Sequence, residues 1–525
     1  MRRFELAGEP RRYWEVTVAQ GAVAFRWGVV GALVVQQHAR TFGHDATASA
    51  HADEQIAKQL ARGYVEVTPA RSEVIQAELR ELQHQRYEWA APASRERWFV
   101  ELRQEGHTVT RSGGRAIAGG DVPDGDLQIW HFDRSTAARA AYEERCAEVE
   151  ARGGVAVEEA LVRYEPQHYP ELEARCEESP HDPGPWLVYA DWLMAHGDVR
   201  GEIAALELAG KHREAMDRLG EHLRELCGSA DASFAFELRH GFAIGCTIKV
   251  DADGGEPLED VTRTFLASPM GRFIEALRFG LAGFSNDNDW APTLHAVTES
   301  ARAPHLRALR FDAYTYSDSE LSWTPYGDFS GAWAKLPALE HLHIRSGAGG
   351  TLGELDLPRL RTFIRESGGL ARAELDAIVA ARWPALEHLE IWSGSSAYGA
   401  EGDVGVLRPI LAGEGLPRLR HLGIVNCEFV DSVIPELARS PVLRQLHSVD
   451  LSNGVMARLA TEALVASAPA FRHLALLELG GNLLLDDELA QIRAVLDNVV
   501  PGKQREREYD DADEEELDRY VAVGE

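Results

Sequence analysis

The strongest regularity along this chain is a short apolar pattern that recurs through its second half. Near the end, Leu474, Leu477, Leu479, Asn482 and Leu484 fit L-x-x-L-x-L-x-x-N-x-L. Leu477 and Leu479 are two residues apart, so in a strand both point to the same side. Asn482 follows at a turn, where a side-chain amide can bond backbone groups that a tight corner leaves unpaired. The second apolar position returns at Leu277, Leu309, Leu342, Phe363, Leu389, Leu422 and Val449, with spacings of 21 to 33 residues up to Leu477. Leu419, Leu422, Ile424, Cys427 and Phe429 repeat the whole pattern with cysteine in the asparagine place. A weaker first turn falls at Ile244 to Val250, and helices are expected near 372–381, 432–438, 456–467 and 486–499. A unit of this kind buries its apolar side only against a neighbour, so strands stacked in series are predicted from residue 231 to 502.

The first third alternates instead. Trp14, Val16 and Val18 make a period-two run, Gly21 marks a turn, and Val23 and Phe25 lead into Arg26-Trp27-Gly28. A second run from Val34-Val35 to Phe42 precedes a helical stretch at 46–61 that stops at Gly63-Tyr64. The unit then recurs between Arg97 and Val155. Trp98, Val100 and Leu102 match the first run, Gly106 matches Gly21, and Arg111-Ser112-Gly113 falls on Arg26-Trp27-Gly28. An internal duplication explains this better than chance. Residues 68–94, rich in Glu, Gln and Arg, read as a helical connector. Farther on, Leu187, Ala190 and Leu193 recur at helical spacing; Gly197 ends that helix and Gly201-Glu202 opens another.

Three resemblances follow. The recurring pattern resembles the leucine-rich repeat, which implies a solenoid with a concave strand surface for a partner. Residues 1–67, on Trp27, Gly28, Gly31, Phe42, Lys58 and Gly63-Tyr64, resemble the WGR domain, a small sheet with one packed helix known from poly(ADP-ribose) polymerases and bacterial regulators. In the DNA-repair members of that family the Trp and Arg of the motif contact DNA; here the arginine position holds Val29, and Trp27 with the nearby Arg26 are the candidate contacts. The second copy has lost the tryptophan and resembles a degenerate WGR domain. Leu187-Val188-Tyr189-Ala190-Asp191-Trp192-Leu193 and Gly197-Asp198-Val199-Arg200-Gly201-Glu202 resemble the helical repeat-companion segment of multi-domain bacterial proteins, which implies a cap on the first strand unit.

Composition narrows the function classes. The net charge of −30 argues against non-specific binding of nucleic acid or anionic membrane by the chain as a whole. Residues 1–67 hold eight Lys/Arg against seven Asp/Glu, so the electrostatic footprint there is weak. Five scattered cysteines without C-x-x-C spacing point to a reducing compartment, with the cytoplasm as the default. The first residues carry arginines with no apolar run behind them, and no uncharged stretch approaches the roughly 20 residues that span a bilayer.

Catalytic signatures are missing from the sequence: there is neither H-E-x-x-H nor G-x-S-x-G. Asp251 to Glu256 imitates a calcium loop, but Glu256 and Thr262 stand where that loop needs glycine and glutamate. Cys427 reads as a buried repeat residue. Loops behind the strands mix aromatic residues with acids and amides; Tyr314, Tyr316 and Trp392 are candidate protein contacts, whereas Trp290 and Trp323 are expected to pack beneath loops. The fold class read from these patterns is α/β and α+β multi-domain: WGR-like domains at 1–67 and 95–165, a connector at 68–94, a helical cap at 166–230, a leucine-rich repeat solenoid at 231–502 and a solvated acidic tail at 503–525. The expected function is a non-enzymatic scaffold for a protein partner, with no cofactor, metal or membrane; nucleic acid bound through the first domain is the alternative.

Overall fold

A computed structural model describes residues 167–229, 232–252, 255–510, 513–518 and 520–523 throughout, and within 1–166 the elements named below. The chain divides into two compact units, Met1–Val74 and Ile75–Glu525.

In the first unit, β1 (Arg2–Leu6), β2 (Arg12–Ala19), β3 (Ala22–Val29), β4 (Gln36–Thr41) and β5 (Val65–Val67) form an antiparallel sheet in the order β4-β3-β2-β1-β5. The alternation seen in sequence lies on β2 and β3, with Trp14 and Val16 buried on one and Val23 on the other. Ala52 and Ile56, four apart at helical positions within 49–60, are buried as well. Gly31, Phe42 and Gly63-Tyr64 lie outside the described residues.

The second unit opens with β6 (Leu82–Ala90), β7 (Arg97–Glu105), β8 (Thr108–Ile117), β9 (Gly120–Pro123), β10 (Gln128–His131) and β11 (Val155–Val157). Their order, β10-β8-β7-β6-β11 with β9 beside β8, repeats that of the first sheet strand for strand. The helix Ser135–Ala151 buries Ala141, Tyr142 and Val149, and Val100, Leu102 and Val109 are buried in the sheet. The helical connector is corrected here. Residues 68–81 lie outside the described residues, and 82–90 are a strand paired with β7 along its whole length. Tyr87 and Trp89 alternate with charged neighbours in LQHQRYEWA, a period-two signal that the Glu/Gln/Arg richness hid.

Helices Pro170–Glu178, Pro183–Ala195, Val199–Leu208 and His212–Glu221 follow. Gly201 lies inside the third, where a Cβ would come 2.5 Å from the Ala190 carbonyl oxygen, so only glycine lets these helices approach so closely. Trp186 and Tyr189 share a core with Phe242 and Phe273 at the edge of the next sheet. Arg272 ties that edge back to Glu173 at 2.7 Å and Glu177 at 3.0 Å.

The remainder is built round one eleven-stranded sheet. Its strands are β12 (Ser233–Arg239), β13 (Phe242–Lys249), β14 (Ala276–Phe279), β15 (Ala308–Phe311), β17 (His341–Arg345), β19 (Thr362–Glu366), β20 (His388–Gly394), β21 (His421–Cys427), β22 (Ser448–Asp450), β23 (Leu476–Glu478) and β24 (Val499–Val500). A small pair, β16 (Gly327–Asp328) with β18 (Gly350–Thr351), lies off this sheet. Only β12 runs antiparallel, closing the edge through a hairpin at His240 and Gly241, both with positive φ as such tight turns require. From β13 on every pairing is parallel. Leu277, Leu309, Leu342, Phe363, Leu389, Leu422, Val449 and Leu477 are register neighbours in one buried row. Each such side chain contributes about 1.5–3 kcal/mol by leaving water.

This architecture corrects the expected fold class. The protein is an α/β fold organised by one large, open, mostly parallel sheet, and everything from residue 75 onward belongs to a single compact unit. A string of small domains ahead of a solenoid is not what the described residues form. Strand spacing along a sequence gives local pitch only; the continuity of the sheet depends on tertiary pairing.

The acidic tail is also corrected. β25 (Glu508–Asp510) pairs with β26 (Asp513–Asp518), and Val521 is buried in the main core. The Arg505 guanidinium donates to the carbonyls of Gly481 at 2.7 Å and Gly454 at 2.6 Å, and Arg507 donates to that of Leu483 at 2.8 Å. Val523 N–H donates to Asn426 at 2.9 Å. The tail's acidic residues obscure a docked anchor made of two arginines and one valine.

Candidate functional site: the open face of the parallel sheet

Alternation decides which residues reach the face turned away from the buried rows. On β20, Leu389 and Ile391 are buried while His388, Glu390 and Trp392 are partly exposed. Parallel register then carries two open-face rows across the sheet. One runs Ala276, Ala308, His341, Thr362, His388, His421, Ser448, Leu476; the other runs Arg278, Arg310, His343, Ile364, Glu390, Gly423, Asp450, Glu478.

The β14–β19 end of this face is a closed ionic network. Asp312 accepts from Arg278 Nε at 2.6 Å and from Arg310 Nε at 3.1 Å. His343 stands between carboxylates, its Nδ1 3.1 Å from Asp312 and its Nε2 2.8 Å from Glu366. Burial opposes the Asp312 charge, but Arg310, His343 and Arg278 hold its carboxyl well below the usual range. Burial likewise opposes protonation of His343, and Asp312 and Glu366 overcome it and raise that pKa. Beneath this end, in the core row where β17 and β20 carry Ile344 and Ile391, β19 carries Arg365, fully buried and paired with Glu374 at 2.9 Å. Its remaining bonds go to the carbonyls of Ser346, Gly347 and Glu366.

The β20–β23 end is built differently. The imidazoles of His388 and His421 stack in register with centroids 4.0 Å apart. His388 Nε2 lies 3.3 Å from Glu390 Oε2, and Trp392 Nε1 donates to Glu390 Oε1 at 2.6 Å. His421 Nδ1 lies 2.8 Å from Ser448 Oγ. Gly423, beside Glu390, leaves space for the stem of that side chain; a Cβ there would meet Glu390 Cγ at 2.8 Å. Burial would raise the Glu390 pKa, but the bond to His388, the charges of both histidines and the Trp392 N–H bring it down to about 2. Asp450 is pushed up to about 7 by burial and then by the charges of Glu390 and Glu478. Among the described residues, one nitrogen of each histidine and one oxygen of Glu390 form a group whose donor atoms lie within 4.8 Å of one another, close enough to share a metal ion.

The expected contact residues fall apart in this frame. Trp392 is on the open face beside Glu390. Tyr316 is 62% exposed in the loop after β15, and Trp323, expected beneath a loop, is 51% exposed. Tyr314 is corrected: only 4% exposed, it donates to the Arg345 carbonyl at 3.0 Å with that guanidinium over its ring, so it supports the network rather than meeting a partner. Trp290 is buried and donates to the Gly280 carbonyl at 2.8 Å. Arg26 and Trp27 sit on β3, opposite Glu15 and Trp14 of β2. Cys427 is buried, and burial pushes its thiol up to about 12. The metal-competent trio is not among the candidates read from sequence; its signal is the residue just before each buried leucine, histidine at both 388 and 421, with Glu390 two positions after His388.

No helix among the described residues is long and apolar enough to cross a membrane. No family model matches the chain, and no curated protein matches it. Among solved structures, a Bacteroides fragilis protein from a structural genomics consortium is similar at 18% identity over 81% of this chain and 97% of that one, with a TM-score of 0.43. At that score it bears on neither fold nor function.

Proposed function

We propose that this chain is a non-enzymatic cytoplasmic scaffold that recognises a protein partner with the open face of its parallel sheet. The observation that carries this reading is a broad, charged strand face that includes Trp392, together with two exposed aromatic side chains, Tyr316 and Trp323, in the segment that follows β15. Aromatic side chains of this kind are the usual anchors of protein interfaces, and the flanking charges would set register and partner choice. The test is comparative affinity capture with the intact protein. Tyr316→Ala and Trp392→Ala, each checked for an unchanged thermal transition, should lose the same co-purifying protein that the unsubstituted chain retains. Identical capture by all three proteins would refute the assignment to this face.

A second reading concerns the first unit alone. The WGR resemblance of residues 1–67, with Arg26 and Trp27 on β3, supports a nucleic-acid contact there. DNA binding that weakens steeply with salt, and is lost in Arg26→Ala, would favour it; salt-independent or absent binding would remove it.

A further inference from the structure

We infer that His388, Glu390 and His421 form a binding site for one divalent transition-metal ion of the zinc class, independently of which partner the open face meets. The donors come from two adjacent parallel strands in register. His388 and Glu390 are two apart on β20, so both reach the open face, and His421 occupies the neighbouring position on β21. One donor atom from each lies within 4.8 Å of the others, and small side-chain rotations would close that set onto an ion at about 2.0–2.2 Å. Two imidazoles and one carboxylate suit zinc, cobalt or nickel, whereas calcium and magnesium prefer oxygen throughout.

The surroundings support these side chains as a metal site requires. The Ser448 hydroxyl, 2.8 Å from Nδ1 of His421, holds that ring in place. Trp392 N–H occupies Glu390 Oε1, which orients Oε2 toward His388. Gly423 keeps the space over β21 open for the Glu390 side chain. Asp450 and Glu478 follow in the same row, so the neighbouring side chains there are carboxyls rather than cations. Three protein donors leave a coordination position for water or for a group on a bound partner.

The test is titration of the intact, metal-stripped protein with Zn2+ by calorimetry, and with Co2+ by visible absorption. The expected result is one equivalent bound, with a cobalt spectrum of low coordination number. His388→Ala and His421→Ala should each weaken binding at least 100-fold, and Ser448→Ala and Trp392→Phe about 10-fold. His305→Ala, on a surface turn elsewhere, should change nothing. His421→Asn gives the same answer should an alanine variant fail to fold. No binding by the unsubstituted protein, equal binding by the His421 variants, or Ca2+ bound as tightly as Zn2+ would each overturn the site.

Discussion

The two ends of the open face are made from the same strands by the same alternation, yet they handle charge in opposite ways. From β14 to β19, arginines 278 and 310 converge on Asp312, and His343 bridges Asp312 to Glu366. Every formal charge there meets an opposite one within the protein, as expected where the network does structural work. From β20 to β23, Glu390, Asp450 and Glu478 share one row with Gly423 between the first two, and that stretch of the row holds neither Arg nor Lys. Glu390 and Asp450 repel each other there, and Glu390 leans on two histidines. A network closed on itself argues for stability, and one with an excess of like charge argues for a ligand.

Removing the centre of the closed end should have the largest effect. Asp312→Ala strands two arginines and a histidine, and should cost about 3–5 kcal/mol in denaturant unfolding. A loss below about 1 kcal/mol would show the network to be solvated rather than structural. Cutting the chain after Pro501 comes next: it removes buried Val521 together with the Arg505 and Arg507 bonds, for about 2 kcal/mol or more. If thermal unfolding is unchanged by that cut, the tail is solvated after all.

The closed end also carries a pH signature. His343 faces Asp312, Glu366 and Arg310, with Arg345 on its own strand, and its folded pKa is raised. The stability it brings is therefore complete below its unfolded pKa of about 6.5 and fades as pH climbs from there through the folded value. His343→Gln should flatten that slope, measured by unfolding at a series of pH values; an unchanged slope would assign it elsewhere. The smallest effect belongs to the crowded end. Asp450→Asn removes a like charge beside Glu390 and Glu478, and should stabilise the metal-free protein by about 0.2–1 kcal/mol. Destabilisation would mean that the Ser452 N–H, which donates to Asp450 Oδ1 at 2.8 Å, outweighs that repulsion.

How much of this could be read from sequence differs along the chain for physical reasons. Leucines recurring ahead of short strands were legible because a buried row demands large apolar side chains at matching positions. The same rule misses Arg365, which occupies a core position that β17 and β20 fill with isoleucine and is tolerated only because Glu374 and three carbonyls surround it. Strand β6 was hidden because its alternation is aromatic against charged rather than apolar against polar. The tail was misread because net charge says nothing about a single valine and two arginines that find carbonyls far away in sequence. Tyr314 and Tyr316, two residues apart in one loop, look alike until the fold buries the first and exposes the second. The metal-competent trio depends on strand register, and register is set by pairing.

The most direct test of the contrast is thermal unfolding of the unsubstituted protein and of His421→Ala, each with chelator and with excess Zn2+. Without metal the two should unfold within about 2 kcal/mol of each other, since His421→Ala removes a partly buried ring, its stacking on His388 and its bond to Ser448. Zn2+ should raise the transition of the unsubstituted protein by mass action and leave the variant where it was. An equal rise in both, or a variant as unstable in chelator as Asp312→Ala, would contradict the division of this face into a structural end and a binding end.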